Sequence, residues 1–129
     1  MIDTNAVIRE YLAAQAGITA LVSTRIYNPR LPENATLPAI SFFTRGGISN
    51  KYIPPMPEPS IQIDCWADDP ITARSVYGAV YDALQGIQNV AVGAYSIASA
   101  EEEVQGQDVP DIDIPNYYRV VTFFKVLIK

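Results

Sequence analysis

Residues 60–84 leave this chain little choice of local structure. Ser60-Ile61-Gln62-Ile63-Asp64-Cys65-Trp66-Ala67 alternates, with Ile61, Ile63 and Cys65 on one side and Gln62, Asp64 and Trp66 on the other. That period of two describes a half-buried strand. Asp68-Asp69-Pro70 follows at once. Asp69 is placed to cap the first backbone N–H groups of a helix, and Pro70 at the first helical position gives up no bond the helix needs. Ala73, Val76, Tyr77, Val80 and Leu84 then recur at three and four, and Gly86 supplies a left-handed stop. A strand turning directly into an amphipathic helix is an architectural unit without reactive chemistry, so function must be sought in how such units assemble.

At 129 residues the chain is predicted to form one domain, 1–129, able to bury a core without disulfides or metal. No run is long enough to span a bilayer, so no membrane partner is expected. The start, Met1-Ile2-Asp3-Thr4, lacks the basic and apolar regions of a signal peptide, which predicts synthesis in the cytoplasm. The single cysteine, Cys65, lies on the apolar side of its strand and reads as a small buried hydrophobe. There is no histidine. Serine–histidine and cysteine–histidine catalysis are excluded within the chain, and so are histidine or multi-thiolate zinc sites. No cofactor is expected. With 14 acidic residues against 9 basic ones scattered from Arg9 to Lys129, the net charge of −5 argues against a specific grip on nucleic acid.

Along the chain, a first helix is predicted from Asp3 or Thr4 to about Gln15, ended by Gly17, with Val7, Ile8, Tyr11 and Leu12 buried. Ile18 to Val22 can add one helical turn. Arg25 to Leu31 reads as a short edge segment, and Pro38 to Arg45 as a strand broken by Gly46-Gly47. Ile48 to Pro59, with Pro54, Pro55, Pro57 and Pro59, reads as a long arm between two antiparallel strands. Asn89 to Ala98 reads as one strand, and the acidic stretch Glu101 to Pro115 as a connection or the outer half of a long hairpin. Tyr118 to Lys129 is the clearest strand. It places Tyr118, Val120, Thr122, Phe124, Val126 and Ile128 on one face, and sets Val121, Phe123 and Leu127 among Arg119, Lys125 and Lys129 on the other. The second face is too apolar for free solvent and should meet either the rest of the fold or a neighbouring subunit. The predicted class is α+β, a mainly antiparallel sheet of four to five strands with two helices packed on one face.

Three acidic groups invite comparison with cation sites: Asp64 with Asp68 and Asp69; Glu101-Glu102-Glu103; and Asp108 with Asp111 and Asp113. None has the glycine and ligand spacing of a calcium loop, and none has a nearby Lys or Arg in sequence for phosphoryl chemistry. They read as solvated loop charges, with no metal and no catalytic residue assigned, and no enzymatic activity is expected. Gly46-Gly47 precedes neither a helix nor a Gly-Lys-Ser/Thr sequence, which removes the phosphate-loop reading. Trp66 packs under the second helix or the closing strand, or else anchors a subunit contact.

The order of segments resembles the phage tail completion family. The resemblance is carried by Arg25-Ile26-Tyr27, by Leu37-Pro38-Ala39-Ile40-Ser41-Phe42, by Ile61 to Ala67 with its following helix, and by Tyr118-Arg119-Val120-Val121-Thr122-Phe123 after an acidic loop. It implies a structural virion protein of a long-tailed phage or prophage, similar to tail terminator and tail-to-head joining proteins. Such a protein would close into a homohexameric ring at the head-proximal end of the tail, between the tail tube protein and the head–tail connector proteins, with DNA passing through its lumen. A connector role as stopper or adaptor is the alternative within the particle, and a metal-dependent hydrolase using the acidic loop the alternative from another class. On the ring reading, Ile53, Met56, Trp66, Val121, Phe123 and Leu127 are the candidate contacts, and Glu101, Glu102 and Glu103 the candidates to face the lumen.

Overall fold

The computed structural model describes residues 2–49, 56–109 and 116–129. Its elements are α1 (Thr4–Ala13), α2 (Ala16–Val22), β1 (Ile26–Tyr27), β2 (Ala39–Ser49), β3 (Pro57–Ala67), α3 (Pro70–Leu84), β4 (Gln88–Val92), β5 (Tyr95–Val109) and β6 (Tyr118–Ile128). The strands form one sheet in the order β1-β2-β3-β6-β5-β4. Every neighbouring pair is antiparallel except β1 with β2, which is parallel.

The α+β class stands, with six strands and three helices among the described residues in place of four to five and two. The extra helix comes from Gln15, whose extended backbone (ψ 116) ends the first helix early and caps a second one. Gly17 therefore lies in the first turn of α2 and is no stop signal. The extra strand comes from Gly93, whose positive φ of 58 lets a two-residue turn fold Gln88–Val92 back on β5. Apolar alternation continues on both sides of that turn, which is why the sequence reads as one strand.

The central unit forms as its residues dictate. Asp69 Oδ1 accepts the Thr72 N–H at 2.8 Å, Pro70 opens α3, and Gly86 (φ 77) follows its end. Ile61, Ile63, Cys65 and Ala67 of β3 meet Ala73, Val76, Val80 and Leu84 of α3 in one core, joined by Val120, Phe124, Val126 and Ile128 of β6. α1 touches both β1 and β4, the two end strands of the sheet. The sheet therefore curls around the helical layer, giving an inner face filled by helices and an outer, convex face.

Of the two long connections, the first differs from its sequence reading and the second takes one of the two forms read for it. Gly46-Gly47 does not break β2 but makes a bulge, after which β2 continues to Ser49, pairing Gly47 with Pro59, Ile48 with Glu58 and Ser49 with Pro57. The arm predicted over Ile48 to Pro59 is thus hairpin at both described ends, while residues 50–55 lie outside the described residues. Pro57 and Pro59 fit because β6 pairs with β3 only from Ser60 onward. Residues two apart aim the same way, so both prolines fit with their missing N–H groups toward an edge that no described strand pairs. In the acidic stretch, Glu101 to Val109 is strand, the outer half of a hairpin with β6. Residues 110–115, including Asp111 and Asp113, lie outside the described residues.

Gly47 has a φ of +135, and a side-chain carbon there would sit 2.4 Å from the Glu58 carbonyl oxygen. Gly47→Ala should lower stability by about 1–3 kcal/mol, since strained backbone and a backbone clash combine. Urea denaturation checks this; an unchanged midpoint would contradict the bulge geometry.

Candidate functional site

One cluster of charged and aromatic groups lies on the convex face. Period-two alternation sends Ser60, Gln62, Asp64 and Trp66 of β3 outward beside Arg119, Val121, Phe123 and Lys125 of β6, with Trp66 opposite Arg119 and Gln62 opposite Phe123. At one end, the Arg119 guanidinium lies 5.1 Å from the centre of the Trp66 ring and 3.7 Å from the Asp64 carboxylate. The Trp66 indole N–H donates to Ser41 Oγ at 2.9 Å, and the Tyr117 ring meets its edge at 6.3 Å. In the middle, the Arg45 guanidinium covers the Phe123 ring at 4.0 Å while its Nε donates to Ser60 Oγ at 3.0 Å. Ser60 Oγ donates in turn to Glu103 at 2.6 Å. Beyond it, the Lys125 ammonium lies 3.0 Å from Glu101 and 3.5 Å from Glu58.

Much of the cover that Phe123 requires thus comes from the chain itself, as a cation on an aromatic face. Val121 is buried within the single chain, whereas Trp66, Phe123 and Leu127 are half-buried. Met56 is half-buried ahead of β3, and Ile53 lies outside the described residues. Trp66 sits on the opposite side of the sheet from α3, held by β2 and β6 neighbours. The Asp64–Arg119 pair and the Arg45 cover were not singled out in the sequence. Their signal was the same alternation that placed Trp66, since each falls on the side of its strand away from the core.

The three glutamates do not act as one row. Glu101 and Glu103 are exposed, but Glu102 turns inward. Its carboxylate accepts from the Tyr77 phenol at 2.7 Å and from Thr122 Oγ1 at 2.6 Å, and its N–H donates to Gln85 Oε1 at 2.7 Å. Tyr77 Oη also accepts the Gly106 N–H at 3.0 Å. Glu102 therefore ties the β5–β6 hairpin to α3. Burial raises the Tyr77 pKa, which keeps the phenol a donor. The acids do not converge as a cation site among the described residues. Asp64 is paired with Arg119 and Asp69 caps α3, while Asp108 lies 3.2 Å from Arg74. Burial pushes the Cys65 thiol far up, which leaves it unreactive. No described helix is long and apolar enough to cross a membrane.

Residues 6–126 match the model of the family described as "Tail completion protein gp17". The chain belongs to the tail completion protein family. A tail completion protein is a structural part of a phage-like tail, and its place is in the virion. The fold is shared with a chain from the "Virion of native gene transfer agent (GTA) particle", at a TM-score of 0.69 and 18% identity over 95% of this chain and 92% of that one. Comparison with curated proteins returns no significant match.

Asp64 carries a pH signature that tests the convex face. Burial raises its pKa, opposed by the hydrogen bond from Gln62 and by the Arg119 charge. Between the ordinary carboxylate value and the raised one, the folded state holds a proton that the unfolded chain releases, so this group's contribution to stability falls as pH rises. Asp64→Asn should therefore gain stability relative to the native chain as pH climbs from about 3 to about 7. Urea titrations at a series of pH values read it; a native chain that gains on the variant with rising pH would contradict the desolvation account.

Proposed function

We propose that this tail completion protein closes into a ring, homohexameric as the family resemblance implies, which caps the tail tube and joins it to the head through the connector proteins. The observation that carries the reading is the family match over residues 6–126, nearly the whole chain. The fold it shares with a gene transfer agent virion chain is in keeping with it. A protein stacked on a tube built of rings is suited by contacts between unlike surfaces, which close when the rotation per subunit fits. Its role is assembly without enzymatic activity. Glu101 and Glu103, exposed although Lys125 and Ser60 partner them, are the two of the three glutamates placed to line a lumen, where like charge keeps passing DNA from adhering. Glu102 belongs to the fold.

Negative-stain imaging of the purified protein, alone and mixed with tail tubes, tests the proposal. Rings should appear, and tube ends should carry them. Charge reversal of Glu101 and Glu103 to Lys should leave rings intact and slow DNA release from particles. A protein that stays monomeric at high concentration and ignores tubes would overturn the reading.

A further inference from the structure

Among the described residues, β2 and β4 leave strand edges open in two unlike places. β1 covers only Ile40 and Ser41 of β2, and the Asn28 side chain takes the Phe42 carbonyl at 2.8 Å. From Arg45 to Ser49, β2 has β3 alone as a strand neighbour among the described residues, and all five residues are exposed. The projecting hairpin is one-sided. Pro57 and Pro59 deny its β3 edge to any further strand, whereas the β2 edge has no proline. Its one charge, Arg45, is folded away over Phe123. Gly46 and Gly47 present no side chain to hold off an approaching backbone, the space beside Gly46 is open, and a cleft of about 310 Å3 runs there between the hairpin and Ile2 and Thr4.

The second open edge is β4. The far edge of β5 beyond Ser99 is not free, because Gln85 and Tyr77 accept the N–H groups of Glu102 and Gly106. β4, Gln88–Val92, contains neither charge nor proline, so the usual guards against strand addition are missing. Val92 and Tyr95 close the two-residue turn, so Val92 and Val90 bond to β5 while Ala91 aims its N–H outward. Four antiparallel steps separate β2 from β4, which therefore run the same way. Both open edges lie at the same end of the sheet, beyond Ser60 with Lys125, the last pair of β3 with β6: β2 runs past it against Pro57–Pro59, and β4 pairs Gln88 with Ser99, whose partner in β6 is Leu127.

We propose that β2 of one copy, over Arg45–Ser49, adds in parallel to the outer edge of β4 in the next copy, joining the curled sheets head to tail into one continuous sheet around the ring. This rests on the ring reading above and names the two surfaces that make it. Unlike edges that lie at one end of the sheet and run the same way give a heterologous contact, which continues from copy to copy until it closes.

Engineered disulfides test it. Ile48 stands on the convex face, opposite Glu58, whose carboxylate meets Lys125 there; Ala91 and Asn89 share that face, because Val90 and Val92 turn inward. Neighbouring strands bring such residues within disulfide reach. Buried Cys65 needs no replacement. Full-length protein carrying Ile48→Cys together with Ala91→Cys, or with Asn89→Cys, should on oxidation give a non-reducing ladder ending at the closed ring, which the single variants do not give. Rings visible by imaging with no ladder from either pair would overturn this contact and leave the ring reading standing. Absence of rings from the native protein, alone and on tubes, would overturn both. Ala91→Pro, which removes an outward N–H, should abolish rings while keeping the native circular dichroism spectrum and a cooperative melt; normal rings from that variant would overturn the proposal. Should the proline disturb β4 itself, the disulfide pairs decide.

Discussion

The structure depends on the alternation in β3 and β6, the two strands at the middle of the sheet. Eight consecutive pairs, from Ser60 with Lys125 to Ala67 with Tyr118, fix which side of each strand meets the helices. A slip of one residue would carry Ile61, Ile63, Phe124 and Val126 to the convex side and bring Asp64, Arg119 and Lys125 into the core. Each large apolar side chain buried contributes about 1.5–3 kcal/mol, and an unpaired charge in the core costs at least as much, so register is specified from both directions. α3 follows from the same strand, since Asp69 and Pro70 start it two residues after β3 ends. The curl of the sheet follows in turn from α1 reaching both end strands.

The convex face resolves its mixed composition internally. Arg45 over Phe123 and Arg119 over Trp66 place guanidinium planes on aromatic rings, which excludes water from the rings and leaves the charges partly wet. Such cover makes a soluble single subunit compatible with a closing strand that is apolar on both sides. It also moves the demand for a partner from the face to the edges. A side chain can satisfy another side chain within one chain, but a row of strand-edge N–H and C=O groups is best completed by a strand.

The strand–helix unit at 60–84, the two-faced closing strand and the α+β class were legible in the sequence, because each rests on local periodicity or capping; the family was legible as a resemblance in the order of segments. The bulge at Gly46-Gly47 was not, because paired glycines signal a break and a bulge alike, and only the partner strand decides. Pro57 and Pro59 argued against a strand because their edge position depends on where β6 stops pairing. Glu102 looked equivalent to Glu101 and Glu103 because the acidic stretch was not read as strand; once it is, alternation turns the Glu102 carboxylate to Tyr77 and Thr122 and leaves its neighbours outside.

The central claim is that assembly completes backbone edges and leaves the convex face and the helical layer as they are. Amide hydrogen exchange, compared between isolated subunits and rings on tail tubes, tests it most directly. The account predicts new protection over residues 46–49 and at Ala91, with little change along α2 and α3. Protection that appears in the groove between α2 and α3, with the two strand edges still exchanging freely, would contradict it.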